Sequence, residues 1–298
     1  MSKTLEGIVV AMITPMNEDE SVDEAGIRTV ARYLIGKGVH GLFPGGSQGE
    51  FYALSVEERK RVLETALDAA NDDVLVVAHV GAITTHEAVA LARHAEWAGA
   101  DAVAAVTPFF INPSQDELYR YFADICAATR LPVLAYDNVG RTHVVLSTST
   151  VARLAHDIDN FAGIKDSSGD LTQLAEHIRL CPPSFKAFIG RDSLIYGALL
   201  YKAAGAVAAT ANVAPELAVG IFDHIRAGNL QEALALQKKL APVRIAFGLG
   251  TFPLVVKEAM AMLGLPAGPA RRPIEPLSDE ARKKLRQLLI EAGVLQSL

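Results

Sequence analysis

The segment VLVVAHVGAITTHEAVALARHAEWAGADAVAAVTP, residues 74–108, decides the fold. Its two ends, VLVVAHV and DAVAAVTP, are continuously apolar, as expected for strands that are buried on both faces of a parallel sheet. The residues between them place apolar side chains at i, i+3 and i+4 spacing, which predicts an amphipathic helix. TTHE, residues 84–87, provides a capping signal for its first turn. The segment therefore predicts one strand–helix–strand unit.

The same unit recurs along the chain. Further short apolar runs, each followed by a helical pattern, are GIVVAMIT (7–14), GLFPG (41–45), PVLAYDN (132–138), FAGIKDS (161–167), KAFIGRD (186–192) and AVAATAN (206–212). About eight strand–helix units of this length predict an α/β fold, a (β/α)8 TIM barrel. The alternative is an open doubly wound sheet, which would require a glycine-rich nucleotide turn after the first strand. The sequence there, MITPMNEDES, lacks such a turn.

From about Pro215 onward the pattern becomes purely helical. Three segments, beginning near residues 229, 252 and 278, have helical periodicity, and a proline-rich stretch separates the last two. We therefore predict two parts, a catalytic barrel over residues 1–220 and a C-terminal helical extension over residues 221–298.

Composition excludes several classes of function. The net charge is −6 and no basic run is present, so nucleic acid is not an expected partner. No run of 18 apolar residues occurs, and we expect no membrane span. The N-terminal apolar run is too short for a signal peptide, and two cysteines, Cys126 and Cys181, provide no disulfide framework. These features predict a cytoplasmic protein.

Lys165 is the first candidate for chemistry, because active sites of such barrels lie at the carboxyl ends of the strands. It ends the apolar run FAGIK, so its amine lies in or just above a core. One interpretation is structural, with the side chain extending to the barrel rim or pairing with Asp166. The other is a nucleophile, since removal from water disfavours a charged amine and a neutral amine can form a Schiff base with a ketone.

Tyr136 ends the preceding strand, PVLAY, and should lie beside Lys165 in the barrel. One interpretation is a core tyrosine whose hydroxyl bonds to the backbone. The other is proton transfer, which both formation and collapse of a carbinolamine require.

The loop GGSQGE, residues 45–50, precedes a helix. Its backbone amides and the Ser47 hydroxyl would suit a carboxylate, although a tight turn also explains the glycines. Arg141, beyond Tyr136, is either a surface residue or a second carboxylate ligand. No H-x-H or H-E-x-x-H spacing occurs among the eight histidines, so no metal ion is expected.

In this order, GGSQGE, TPFF, YDNVGRT, GIKDSSGD and ATAN resemble the motifs of the dihydrodipicolinate synthase and N-acetylneuraminate lyase family of class I aldolases. The resemblance extends from about Gly7 to beyond Pro215. It implies that Lys165 forms a Schiff base with pyruvate or another 2-keto acid, that Tyr136 shuttles protons, and that no separate cofactor is needed.

The resemblance also implies a set of binding residues. Ser47 would bind the keto-acid carboxylate, Arg141 the carboxylate of a second substrate, as in the synthase branch, and Val207 would line the site through its backbone. The family is generally homotetrameric, so a homotetramer is expected.

Three departures from the family pattern affect the second substrate. Gln48 replaces the second hydroxyl residue of the loop, and Asp137-Asn138-Val139 follows Tyr136 where the family has N-x-P. Phe110 stands where dihydrodipicolinate synthases carry a tyrosine that is lent across a subunit interface and completes their proton relay. A phenylalanine has no hydroxyl for that role.

We therefore predict a Schiff-base lyase, aldolase or dehydratase that acts on a 2-keto-3-deoxy sugar acid or a related 2-keto acid. The alternative is dihydrodipicolinate synthase itself, which condenses pyruvate with aspartate semialdehyde. A metal-dependent aldolase and a barrel that binds a keto acid without turnover are further alternatives.

Overall fold

Eight parallel strands close into a barrel, in chain order, in the computed structural model, which describes residues 3–71 and 73–296. The strands are β1 Gly7–Ala11, β2 Gly41–Phe43, β3 Leu75–His79, β4 Ala102–Val106, β5 Val133–Asp137, β6 Phe161–Asp166, β7 Lys186–Ile189 and β8 Gly205–Ala208. Hydrogen bonds between β1 and β8 close the sheet, with Gly7 opposite Gly205. The predicted (β/α)8 TIM barrel is confirmed.

Helices surround the barrel and continue beyond it. They are α1 Glu24–Gly36, α2 Val56–Ala70, α3 Thr85–Ala98, α4 Gln115–Ala128, α5 Val139–Thr142, α6 Thr148–Asp157, α7 Leu171–Leu180, α8 Ile195–Leu200, α9 Pro215–Arg226, α10 Leu230–Ala246, α11 Leu254–Met262 and α12 Asp279–Glu291. As the TTHE signal predicts, the Thr84 hydroxyl caps α3 by accepting a hydrogen bond from the Glu87 amide at 3.3 Å. Within the described ranges, no helix combines the length and the apolar character needed to cross a membrane.

The core has two layers, which explains why the strands are apolar throughout. Side chains that point outward pack with the helices, whereas side chains that point inward form a separate cluster inside the barrel. The inner cluster includes Val9, Phe43, Tyr136, Phe188 and Val207. Because both faces of each strand are buried, alternation of apolar and polar residues is absent from most of the sheet.

The C-terminal extension consists of α10, α11 and α12, at the three segments predicted from sequence. The boundary predicted between residues 220 and 221 falls inside α9, the helix that follows β8. The helix α9 runs unbroken from Pro215 to Arg226, and the next helix, α10, begins at Leu230. The division into two parts stays a prediction.

The extension is tied to the GGSQGE loop by a buried ion pair. The Lys257 ammonium on α11 lies 2.6 Å from a carboxylate oxygen of Glu50, and both side chains are fully buried. The other oxygen of Glu50 accepts a hydrogen bond from the backbone amide of Arg271 at 3.0 Å. Removing either member would leave a buried charge without its partner, so this pair fixes the loop relative to the extension.

Candidate active site

A cavity of about 250 Å³ opens at the carboxyl ends of the strands. Six of the seven predicted site residues line it, namely Lys165, Tyr136, Ser47, Gln48, Arg141 and Val207. Their common location follows from the barrel, since parallel strands bring residues distant in sequence to one rim.

Lys165 and Tyr136 are direct neighbours across β5 and β6, where they occupy paired register positions. The Lys165 Nζ atom lies 3.8 Å from the centroid of the Tyr136 ring and 4.7 Å from that of Phe43. Only 4% of Lys165 and 3% of Tyr136 is exposed. The amine therefore contacts aromatic faces rather than solvent, an arrangement in which an ammonium gains cation–π attraction but loses hydration.

The Tyr136 hydroxyl belongs to a small polar network. The amide of Asn138 donates a hydrogen bond to it at 2.7 Å, and the Ser47 hydroxyl lies 3.3 Å away. Burial alone would raise the pKa of the Tyr136 phenol, but the charge of Lys165 and hydrogen bonds with Ser47, Lys165 and Asn138 outweigh burial and lower the pKa below its ordinary value. A phenol with a lowered pKa and a neighbouring amine is suited to proton transfer.

Ser47 and Gln48 point in different directions, although both line the cavity. The Ser47 hydroxyl lies near Tyr136, whereas the Gln48 side-chain amide donates a hydrogen bond to the Pro253 carbonyl at 3.3 Å. Gln48 is 2% exposed, and its side-chain oxygen has no hydrogen-bond partner within the described ranges. In place of a family hydroxyl, Gln48 thus connects the loop to the extension.

Three arginines also line the cavity, and sequence reasoning identified only one of them. Arg141, on the short helix α5, is exposed and stacks 4.4 Å from the ring of Phe252. Arg191 directly follows β7 in FIGRD, next to Asp192. The rule that sites lie at strand ends would have found Arg191, but Arg244 comes from α10 and no local sequence signal indicates its position.

Asn138 was also missed as a site residue. It follows Tyr136 by two positions, and residues at this spacing share one face of a strand, which is the signal that would have identified it.

Phe110 does not line the cavity of its own chain. Its side chain is 93% exposed, and its backbone adopts the left-handed conformation with φ of 72°. The expected role of this position across a subunit interface, like the expected homotetramer, stays a prediction.

No group of three or more histidine, cysteine, aspartate or glutamate side chains in residues 3–71 and 73–296 is arranged to hold a metal ion. The expectation that the reaction uses no metal also stays a prediction.

Comparison with known proteins gives one consistent family. The model of the dihydrodipicolinate synthetase family matches residues 4–292. A 4-hydroxy-tetrahydrodipicolinate synthase of Methanothrix thermoacetophila is 40% identical over 290 residues, which cover 97% of each chain. A DapA-like lyase of Halobacterium salinarum is 38% identical over 291 residues, which cover 98% of this chain and 95% of the relative.

Solved structures agree. YagE, a prophage protein of E. coli K12 described as a member of the dihydrodipicolinic acid synthase family and solved in complex with pyruvate, superposes with a TM-score of 0.95. It is 30% identical in sequence, and the match covers 98% of this chain and 99% of YagE. The resemblance predicted from the motifs is therefore confirmed, and this chain belongs to the dihydrodipicolinate synthetase family, a family of lyases and aldolases.

Proposed function

We propose that this protein is a Schiff-base lyase that makes or breaks a carbon–carbon bond between pyruvate and an aldehyde, with Lys165 as the nucleophile and Tyr136 as the proton carrier. The observation that carries the proposal is the Lys165 amine, 3.8 Å from the Tyr136 ring centre in a cavity at the carboxyl ends of the strands. The Tyr136 hydroxyl is held beside this amine by hydrogen bonds with Ser47 and Asn138, which supports a role in proton transfer.

The reaction begins when the neutral Lys165 amine attacks the C2 ketone of the substrate. The ketone oxygen takes up a proton to give a carbinolamine, and the same oxygen leaves as water to give a protonated imine. Tyr136 moves these protons, and hydrogen bonds with Ser47 and Asn138 hold its hydroxyl near the reacting carbon.

The protonated imine then accepts electrons. When the C4 hydroxyl of a 2-keto-3-deoxy acid loses its proton, the C3–C4 bond breaks, the aldehyde leaves, and the electron pair forms an enamine. A proton added at C3 restores the imine, and water releases pyruvate and the free Lys165 amine. Condensation follows the same steps in reverse, whereas loss of the C4 hydroxyl as water would give a dehydratase.

For the substrate we propose a 2-keto-3-deoxy sugar acid or a related 2-keto acid, in a homotetramer of cytoplasmic location. Pyruvate as the keto acid is supported by the pyruvate complex of YagE. The second candidate is 4-hydroxy-tetrahydrodipicolinate synthase, the name of the Methanothrix relative. Against this second candidate, Phe110 has no hydroxyl for the relay of that branch.

The test is borohydride reduction in the presence of pyruvate, followed by intact mass measurement and peptide mapping. We expect a single reduced pyruvyl adduct, confined to Lys165, and none in the Lys165→Ala variant. Lys186→Ala is the matched control, because Lys186 is a half-buried lysine at the start of the adjacent strand β7. It should form the adduct as the wild type does.

The absence of an adduct with pyruvate and with several other 2-keto acids would overturn the Schiff-base function. Once the adduct is found, pyruvate release from 2-keto-3-deoxy acids tests the preferred substrate class. Complementation of a diaminopimelate auxotroph tests the second candidate, and failure to restore growth would count against it.

A further inference from the structure

The cavity has more positive charge than a simple keto acid requires. Its lining contains three arginines, Arg141, Arg191 and Arg244, besides Lys165 and one carboxylate, Asp192. The whole chain carries a net charge of −6, so this positive region is local and favours the entry of anions. Pyruvate brings one carboxylate, which leaves arginines of the cavity without a ligand in the proposed reaction.

Arg191 is held in place by one nitrogen, and the other two are available. Its Nε atom donates a hydrogen bond to the Ser167 carbonyl at 3.1 Å. A side chain at nearby Gly169 would crowd it, since a methyl group there would lie 3.3 Å from Nε. The two terminal nitrogens make no hydrogen bond to any described residue, so they can form a fork for a carboxylate or phosphate.

Arg244 extends from the last turn of α10 and is also incompletely neutralised. Its Nε lies 3.9 Å from one oxygen of Asp192, beyond hydrogen-bond distance. The other Asp192 oxygen accepts hydrogen bonds from the Thr210 amide at 2.8 Å and the Thr210 hydroxyl at 2.7 Å. Asp192 therefore orients Arg244 without occupying its hydrogen-bond donors.

An adjoining cavity of about 690 Å³ differs from the first, because two of its arginines are paired with carboxylates. It shares Arg141 with the first cavity, and its other arginines, Arg271 and Arg272, are paired. Arg271 donates hydrogen bonds to both carboxylate oxygens of Glu58, and Arg272 donates one to Glu20. The guanidinium groups that remain available thus belong to Arg141, which the two cavities share, and to Arg191 and Arg244.

We propose that Arg191 and Arg244 bind an anionic group at the end of the substrate remote from the ketone. The substrate is then a 2-keto acid with a second anionic group, a carboxylate or a phosphate, beyond the bond that breaks. In the condensing direction, the aldehyde carries this group. The inference rests on the proposed function, because Lys165 fixes the position of the ketone.

The experiment compares matched aldehydes in condensation with pyruvate. Glyceraldehyde 3-phosphate is paired with glyceraldehyde, and succinate semialdehyde is paired with butanal, so that each pair differs mainly in the anionic group. We expect kcat/KM to be roughly 10- to 100-fold higher for the anionic member of one pair, the range given by a charged hydrogen bond. The pair that shows the preference distinguishes phosphate from carboxylate.

Two variants test the residues. Arg191→Gln and Arg244→Gln should each lower the ratio of anionic to neutral kcat/KM by roughly tenfold or more. Arg191→Lys should lower the ratio less than Arg191→Gln, because it retains the charge but loses the fork. Arg282→Gln is the control, since it removes an arginine that is paired with Glu258 in the extension, away from the cavity. The control should retain the wild-type ratio.

The outcomes separate this inference from the proposed function. If wild-type protein forms the pyruvate adduct but prefers neither anionic aldehyde, or if both glutamine variants retain the wild-type ratio, the inference is overturned and the Schiff-base function stands. If wild-type protein forms no adduct with any 2-keto acid, the proposed function is overturned.

Discussion

The inner and outer faces of β5 and β6 carry different kinds of polar residue, although the residues are adjacent in sequence. Tyr136 and Lys165 point into the barrel and line the cavity, whereas Asp137 and Asp166 point outward toward α7. The register pairs Tyr136 with Lys165 and Asp137 with Asp166. Because side chains alternate along a strand, each strand contributes one residue to a substrate cavity and the next to a closed interior.

The outer cluster consists of Asp137, Asp166, Gln173 and His177. The Gln173 amide donates a hydrogen bond to Asp137 at 2.7 Å, and His177 Nε2 lies 3.9 Å from an Asp166 oxygen. One oxygen of each aspartate and both ring nitrogens of His177 have no hydrogen-bond partner in the described part of the chain. Burial, without full pairing, therefore dominates the energetics of this cluster.

The pKa values follow from that burial. Burial raises the pKa of the Asp137 carboxyl to about 6, against a hydrogen bond from Gln173 that lowers it. Burial also raises the pKa of Asp166, and it lowers the pKa of His177 to about 4. At neutral pH, His177 is uncharged and gives little electrostatic compensation to the two buried aspartates. The cluster therefore lowers the free energy of unfolding.

The inner pair, Tyr136 and Lys165, and the outer pair, Asp137 and Asp166, are equally buried but should have different roles. The inner groups surround a cavity into which a substrate fits, so changes there should alter the rate of the reaction. The outer groups meet only protein, so changes there should alter the free energy of unfolding and its dependence on pH.

Replacement of Lys165 should have the largest effect. Lys165→Met retains the side-chain length but removes the amine, and we expect kcat/KM to fall by on the order of 10⁴-fold or more, as for loss of other catalytic nucleophiles. The melting temperature should stay equal or rise, since an apolar group replaces a buried amine. Asp166→Asn, one residue away, is the matched variant and should retain most of the activity. Comparable losses in both variants would contradict the division between the two faces.

Replacement of Tyr136 should have the next largest effect. Tyr136→Phe removes the hydroxyl but keeps the ring against Lys165, so we expect a loss of roughly 10²- to 10⁴-fold in kcat. Because the amine remains, borohydride should still trap the pyruvate adduct, but more slowly than in the wild type. Time-resolved trapping and steady-state rates measure both effects, with Asp137→Asn as the neighbouring control. A wild-type rate in Tyr136→Phe would show that another group carries the protons.

The inner site could be predicted from the sequence because each residue belongs to the strand that positions it. Lys165 and Tyr136 end apolar runs, and the barrel geometry brings all strand ends together. Arg244 and the contact of Gln48 with Pro253 could not be predicted, since both depend on how the extension folds back over the barrel. No local pattern encodes a contact between residues about 200 positions apart.

The outer cluster could be predicted in part from the sequence. Alternation along a strand places Asp137 and Asp166 on the face opposite to Tyr136 and Lys165. Their partners on α7 could not be identified, because the rotation of a helix against a sheet depends on packing. The boundary predicted after residue 220 falls inside α9, because this helix has the same periodicity on both sides of that position.

The outer cluster should give the smallest effect, in the pH dependence of stability. For Asp137, the folded pKa of about 6 lies above the ordinary value of 3.8, so its contribution to stability is present below pH 3.8 and is lost as the pH rises to 6. Asp166 acts in the same direction. For His177, the folded pKa of about 4 lies below the ordinary 6.5, so stability increases as the pH rises from 4 to 6.5.

These trends oppose each other in the wild type, and single variants should reveal each one. Between pH 4 and 6.5, the free energy of unfolding should rise more steeply with pH in Asp137→Asn than in the wild type. In His177→Gln, the slope of the free energy of unfolding against pH should be lower than in the wild type. Each variant should differ from the wild type by up to about 3 kcal/mol across this pH range. Urea unfolding at several pH values measures these slopes, with Asp159→Asn as an exposed control. Equal slopes in the wild type and all three variants would contradict the prediction. They would mean that Asp137 and His177 titrate alike in the folded and unfolded states, as exposed groups do.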